Sequence, residues 1–235
     1  MWLVDHLLSC TLTEETEGYL LGRGARGSII EDMGIKTWQP LAEPYDHPDW
    51  KRYGPEGRGE WLTGWVVWPL VGPTGAVIGF TARSLTQKRF TRWLLPQAAW
   101  SPVFTGLTHR MMARIWAGAD IWLVEGIFDL LALHWAVEEG VVLATETARL
   151  SDVQLEFLRR WARGWVYVAY DNDEAGRRGT HGWTDEAGRS HWGAIRKMER
   201  VELRCSPVNY PGKDPGDIWS LQGRAGIQAA FTQAR

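Results

Sequence analysis

The sequence predicts an α/β chain: a mostly parallel sheet flanked by helices, preceded by a smaller α+β part of mixed helices and a hairpin. Three observations carry that prediction. From residue 120 onward, short apolar runs alternate with helix-like segments, the pattern of a parallel sheet with helices on its faces. Acidic residues recur just after those runs, as Glu125 and Asp129 in IWLVEGIFD, Asp171 and Asp173 in WVYVAYDNDEAG, and Asp214 and Asp217 in GKDPGDIW. Upstream, WVVWPLVGPTGAVIGFTAR sets two β-rich runs around a Gly-Pro-Thr-Gly turn, which predicts an antiparallel hairpin.

In chain order, Thr13 ahead of Glu14 and Glu15 marks a helix start, and residues 13–33 read as two short helices around a glycine break. Gly22, Gly24 and Gly27 formally match G-x-G-x-x-G, but a helix-like segment precedes them where a dinucleotide fingerprint needs a strand. Residues 38–60, rich in Pro, Gly and charge, predict loops, and 107–117 predicts a helix. Then follow a strand at Ile121–Val124, a helix at 127–139 and a strand at Val141–Ala144. Ser151 with Gln154 forms a capping box for a helix that Gly164 closes. Trp165–Tyr170 predicts a third strand, 174–178 a helix start, 192–199 a helix and Val201–Cys205 a fourth strand, with 179–191 an irregular insertion. These bounds predict an N-terminal subdomain at 1–118, a catalytic domain at 119–222 and a tail or helix at 223–235.

With 45% hydrophobic and 23% charged residues, 235 residues suffice for a sizeable core. No signal pattern or membrane-length apolar run is present, so no membrane partner is expected. Cys10 and Cys205 are too few for a disulfide framework or a cysteine-rich zinc module, which predicts the reducing cytoplasm. The net charge of −2 hides a segregation: residues 61–119 hold no Asp or Glu, yet carry Arg83, Lys88, Arg89, Arg92, Arg110 and Arg114. A basic stretch next to acidic motifs suits a polyanion that meets both. Sixteen Trp residues imply aromatic cores, with Trp93 beside Arg92 the best candidate to stack a base.

The carboxylates carry the chemistry. Glu125 follows a strand at the sheet edge where ligands collect in open α/β folds. Asp129 lies one helical turn on. Asp171 and Asp173, two apart in extended chain, point to one side and leave Asn172 pointing away. Asp214 and Asp217 share a face at a helix start. Singly, each has a plain reading as a cap or turn residue. Together, six carboxylates at three strand ends repel one another unless cations sit among them, which predicts a hard divalent ion, Mg²⁺ or Mn²⁺, and phosphoryl transfer.

EG-x-x-D after a strand, D-x-D after a later strand and a third acidic cluster resemble the Toprim domain. GYLLGRG at 18–24 resembles the YL-x-x-RG element of DnaG-type primase cores. WPLVGPTGAVIGFTAR at 68–83 resembles their FPI-x-x-x-x-G-x-x-IGF-x-x-R element, TRWLLPQAAWSPVFTG at 91–106 the segment that follows, and DNDEAGRRG at 171–179 their form of D-x-D. The resemblance spans residues 14 to 221. It implies that Glu125, Asp171 and Asp173 are the principal metal ligands, supported by Asp129, Asp214 and Asp217. Arg83 and Arg92, with Lys88, Arg89 and Arg110 of the same basic stretch, would contact nucleotide phosphates or template. The implied activity is two-metal synthesis of short RNA primers from ribonucleoside triphosphates on a single-stranded DNA template. The alternatives are a Toprim nuclease using the same carboxylates, or a catalytically weak relative that only holds single-stranded DNA. Thr105 stands where many primases place a lysine, which moves that phosphate contact to His109 or Arg110. The segment 144–154 lacks the glycine of the usual turn, and D-P-G-D has one residue more than D-P-D. Nothing in the 235 residues resembles a zinc-binding module or a helicase-binding tail, which predicts either a phage or plasmid protein or a core that borrows a zinc module and a replicative helicase from partners. His181 and His191 read as surface loop residues.

Overall fold

A computed structural model describes residues 2–72, 75–95 and 103–232. Positions 73–74 of the hairpin turn and 96–102 of the following primase-like segment lie outside the described residues. The chain forms two compact units, one of residues 1–22 with 27–100, the other of residues 23–26 with 101–235.

The first unit holds α1 (Trp2–Ser9), α2 (Glu14–Gly22), α3 (Gly27–Asp32) and an antiparallel sheet of order β1 (Lys36–Thr37), β2 (Val66–Val71), β3 (Val77–Arg83), β4 (Phe90–Leu94). Helix α2 starts where Thr13 Oγ1 accepts a hydrogen bond from Thr16 N at 3.3 Å. The hairpin of β2 and β3 stays in register from Val66↔Arg83 to Leu70↔Gly79 and shifts only at Val71, before the turn. Helix α1 was not anticipated from the sequence. Residues 38–60 are more than loop, because two 3-10 turns, Pro48–Tyr53 and Glu60–Leu62, are stapled by buried indoles. Trp38 Nε1 donates to Gly59 O at 3.0 Å and Trp50 Nε1 to Gly57 O at 2.8 Å. Both rings join Phe80, Leu62 and Trp93 in one apolar cluster. Trp93 is 3% exposed and packs edge-on to Trp50 at 5.1 Å. It therefore fills the core and offers no face for a base, which corrects the expectation for it.

The second unit is a parallel sheet of order β10 (Cys205–Pro207), β7 (Val166–Val168), β5 (Ile121–Val124), β6 (Val141–Ala144). Around it run α4 (His109–Trp116), α5 (Ile127–Leu133), α6 (Asp152–Trp161), α7 (Glu174–His181), α8 (Ala194–Arg200) and α9 (Pro215–Thr232). Strand β5 is wholly buried, as a central strand covered on both faces must be. The chain leaves β5 toward β6 on one side and β7 on the other, so the crevice past the carboxyl end of β5 is the switch point of the sheet. Thr105 extends the edge of β6 through paired bonds with Ala144, both 3.0 Å. Thr105 is buried there. The capping box of Ser151 and Gln154 is present at α6.

Several boundaries differ from expectation, β7 among them, which is Val166–Val168 rather than Trp165–Tyr170. Helix α5 stops at Leu133, with a turn through 134–136. The fourth strand is Cys205–Pro207 rather than Val201–Cys205, because Glu202 turns the chain at φ 60. Residues 179–191 are ordered: α7 runs on to His181, and β8 (Gly182–Thr184) pairs with β9 (Ser190–Trp192) as an antiparallel hairpin. Helix α9 is kinked at Gly223, whose φ of 62 and ψ of −156 only glycine adopts readily.

A candidate metal centre at the sheet edge

Adjacent strands deliver the first carboxylates. Glu125 is the residue after β5, and Asp171 lies three residues beyond β7. Asp129 stands in the first turn of α5, and Asp214 precedes α9. The three oxygens that converge belong to Asp129, Asp171 and Asp214, all within 4.8 Å of one another.

Backbone donors hold most of this set. Asp129 accepts from Gly126 N at 3.2 Å and Gly216 N at 3.1 Å. Asp214 accepts from Asp217 N at 2.7 Å, and Glu125 from Asp171 N at 3.1 Å. Asp171 Oδ1 is buried and has no hydrogen-bond partner. A Cβ on Gly216 would stand 3.2 Å from Asp129 Oδ1, 3.3 Å from Asp214 Oδ1 and 3.8 Å from Arg23 Nη2, so a side chain there would crowd the cluster.

The electrostatics follow. Burial, then the Asp171 charge, raise Glu125 to about 7. Burial, then Asp214, raise Asp171 to about 6 against the opposing pull of Lys213. Burial and the charges of Asp214 and Asp171 also push Asp129 up. Burial disfavours each charged form, and the neighbours repel it further. Lys213 Nζ is 3.1 Å from Asp214 Oδ2 and 3.9 Å from Asp171 Oδ2, a single exposed ammonium facing several carboxylates. A divalent ion suits this set: the donors are hard oxygens, one is orphaned, and the surplus is negative.

The remaining predicted residues flank the centre. Asp173 is exposed and caps α7, accepting from Gly176 N at 2.9 Å, and its charge adds to the rise at Glu125 and Asp171. Asp217 is exposed in the first turn of α9. Asn172 points away, as expected, but not idly. It donates from its side chain to Tyr210 O at 2.8 Å and Gly212 O at 2.7 Å, and from its backbone to Lys213 O at 2.7 Å. These bonds tie the GKDPGD loop to Asp171. Glycines 176 and 179 let α7 approach: a Cβ would lie 2.0 Å from Asp171 O in one case and 1.8 Å from Ala148 O in the other.

Arg23 and Lys213 are cations of this centre that the sequence reading passed over. Arg23 stacks on Phe128 at 4.6 Å. Their sequence signals are the RG of GYLLGRG and the lysine of GKDPGD. Gly24 beside Arg23 has φ +92, and a Cβ there would strike the Trp219 ring at 2.9 Å. Next to it, the Arg26 guanidinium covers the Trp135 ring at 4.1 Å.

In the first unit, the register Thr81↔Arg92 and Arg83↔Phe90 places Arg83 and Arg92 on one face of β3 and β4. Lys88 and Arg89 are exposed in the turn that joins those strands. Arg110 is exposed in the first turn of α4, in the second unit, with His109 beside it.

Residues 122–218 match the Toprim-like domain family. The chain is similar to a DNA primase of Deinococcus radiodurans, 26% identical over 171 residues, 72% of this chain and 28% of the relative. It is likewise similar to a DNA primase of Aquifex aeolicus, 31% identical over 160 residues, 65% of this chain and 29% of the relative. The chain thus spans less than a third of the length of either primase. Among solved structures it superposes on a DnaG primase catalytic domain bound to single-stranded DNA with a TM-score of 0.56 at 19% identity, covering 97% of this chain and 74% of that one.

Proposed function

We propose that the chain is a DnaG-type primase core carrying a Toprim domain and that it makes short RNA primers on single-stranded DNA by Mg²⁺- or Mn²⁺-dependent phosphoryl transfer. The convergence of Asp129, Asp171 and Asp214 at the switch point of the parallel sheet is the observation that carries this reading.

Asp129, Asp171 and Asp214 would hold the ions with Glu125, while Asp173 and Asp217 add charge at the rim. Divalent ions bound there supply Lewis acidity at the reacting phosphate and its leaving group. Asp173 also fixes the start of α7, and with it the loop that bears Asp171. Arg23 and Lys213 adjoin the carboxylates and suit triphosphate or pyrophosphate oxygens. Arg83, Lys88, Arg89, Arg92 and Arg110 are proposed to neutralise template and nucleotide phosphates. A replicative helicase is proposed as a partner, and the cytoplasm as the compartment. Among the described residues no helix is long and apolar enough to cross a membrane.

A Toprim nuclease would use the same carboxylates. The likeness to a primase domain over 97% of the chain, first unit included, favours priming. Incubation with labelled ribonucleotides, single-stranded DNA and Mg²⁺ separates the two, since priming yields short RNA products and a nuclease yields shortened DNA. Cleavage without RNA synthesis would sink the proposal.

A further inference from the structure

The hairpin of β8 and β9 takes no part in the acidic centre, yet it is tightly built. A Cβ on Gly193 would lie 2.3 Å from Gly182 N, so the two glycines close its neck. Asp185 locks its turn by accepting from Ala187 N at 3.0 Å and Arg189 N at 2.9 Å and by pairing with Arg189 and His191. This arm holds out Trp183. One ring neighbour is His191, stacked at 4.4 Å and 11°, and another is the Arg149 guanidinium at 5.2 Å.

Trp183, Ala148, Arg149, Ala175, Arg178 and Gly179 wall a cleft of about 460 Å³. A second cleft of about 190 Å³ shares Arg149 and Trp183 and adds Lys197. The indole is half-buried and lines both clefts, with His191 and Arg149 against its ring. Arg149 is exposed and makes no ion pair among the described residues. Among the described residues Arg178 pairs with exposed Glu174 on its own helix, a weak contact that a phosphate can displace.

We propose that this cleft binds single-stranded nucleic acid, with phosphates at Arg149 and Arg178 and a base against Trp183. Cationic walls beside a rigid aromatic are the chemistry that tracks a single strand. Arg178 lies five residues beyond Asp173, roughly 7 Å along the helix axis. The cleft is therefore placed for a strand extending from the carboxylate edge, and it rests on the reading that the chain acts on such strands.

Fluorescence anisotropy of labelled oligo(dT), without divalent ions and across a salt series, tests this. Trp183→Ala is expected to weaken binding about ten- to a hundredfold, with Trp183→Phe retaining most of it. Arg149→Gln and Arg178→Gln should each lower the slope of log affinity against log salt by about 0.7. If Trp183→Ala melts early, the two exposed arginine variants decide alone. Wild-type oligo(dT) affinity in folded variants overturns the proposal, as does a raised KM for ribonucleotides with oligo(dT) affinity unchanged. A wild-type protein that primes while all variants bind normally removes the cleft and spares the primase reading. Lost oligo(dT) binding in a protein that never primes does the reverse.

Discussion

Asp171, three residues past β7, and Asp185, directly after β8, lie in loops of the same unit, and their acidities move in opposite directions. Asp185 sits in the β8–β9 turn, where a bond to His191 and donors from Arg189 and Ala187 hold it at about 2. Asp171, partly buried among Asp214, Asp173 and Asp217, rises to about 6 although Lys213 stands close. The turn satisfies its carboxylate from within the chain. The sheet edge gathers carboxylates faster than donors and leaves one oxygen with none. A self-satisfied acid builds structure, whereas an under-satisfied group of acids stores affinity for something absent from the chain.

The largest expected break in this contrast is catalytic. Asp171→Asn should lower priming by at least about a hundredfold, while its thermal midpoint in EDTA at pH 8 stays equal or rises because repulsion is relieved. Asp185→Asn should show the opposite pair, a lower midpoint with priming intact at saturating template. Equal loss of priming in both would erase the distinction. Next comes Asn172→Ala, which frees the GKDPGD loop and should weaken Mg²⁺ or Mn²⁺ binding about tenfold by calorimetry. Gly176→Ala forces a methyl onto Asp171 O and should destabilise by about 1–3 kcal/mol in urea titration.

The smallest effect is on pH. Glu125 and Asp171 have folded values near 7 and 6, above their ordinary values, so the folded state holds more protons than the unfolded one in between. Without metal, stability should therefore increase as pH falls from about 8 to 5 through these groups. Asp185, depressed to about 2, contributes stability above its ordinary value that is lost as pH falls through about 2. Divalent ions should raise the thermal midpoint more at pH 8 than at pH 5, because protons compete for the same oxygens. A metal-induced shift independent of pH would contradict the assignment of those carboxylates.

The acidic edge was legible because each carboxylate lies within a few residues of a strand whose apolar run is visible locally. Sequence ranked Glu125, Asp171 and Asp173 first, whereas the closest oxygens belong to Asp129, Asp171 and Asp214. That ranking depends on how α5 and α9 aim their first turns, which no local pattern encodes. Arg23 carries no local signal, because the centre it lies near is built from residues more than a hundred positions away. The hairpin escaped because strands of three residues bounded by glycine carry no alternation to read. Val201 and Leu203 read as a strand until Glu202 turned the chain between them.

Residues 23–26 have a consequence for anyone dividing the gene. They belong to the second unit although they lie between two helices of the first. A fragment beginning near residue 101 would keep the sheet and every carboxylate, yet leave the Trp135 ring without Arg26 and Trp219 without the glycine seated against it. Such a piece should be prone to aggregate on its own and should improve when a peptide carrying LGRGAR is supplied in trans.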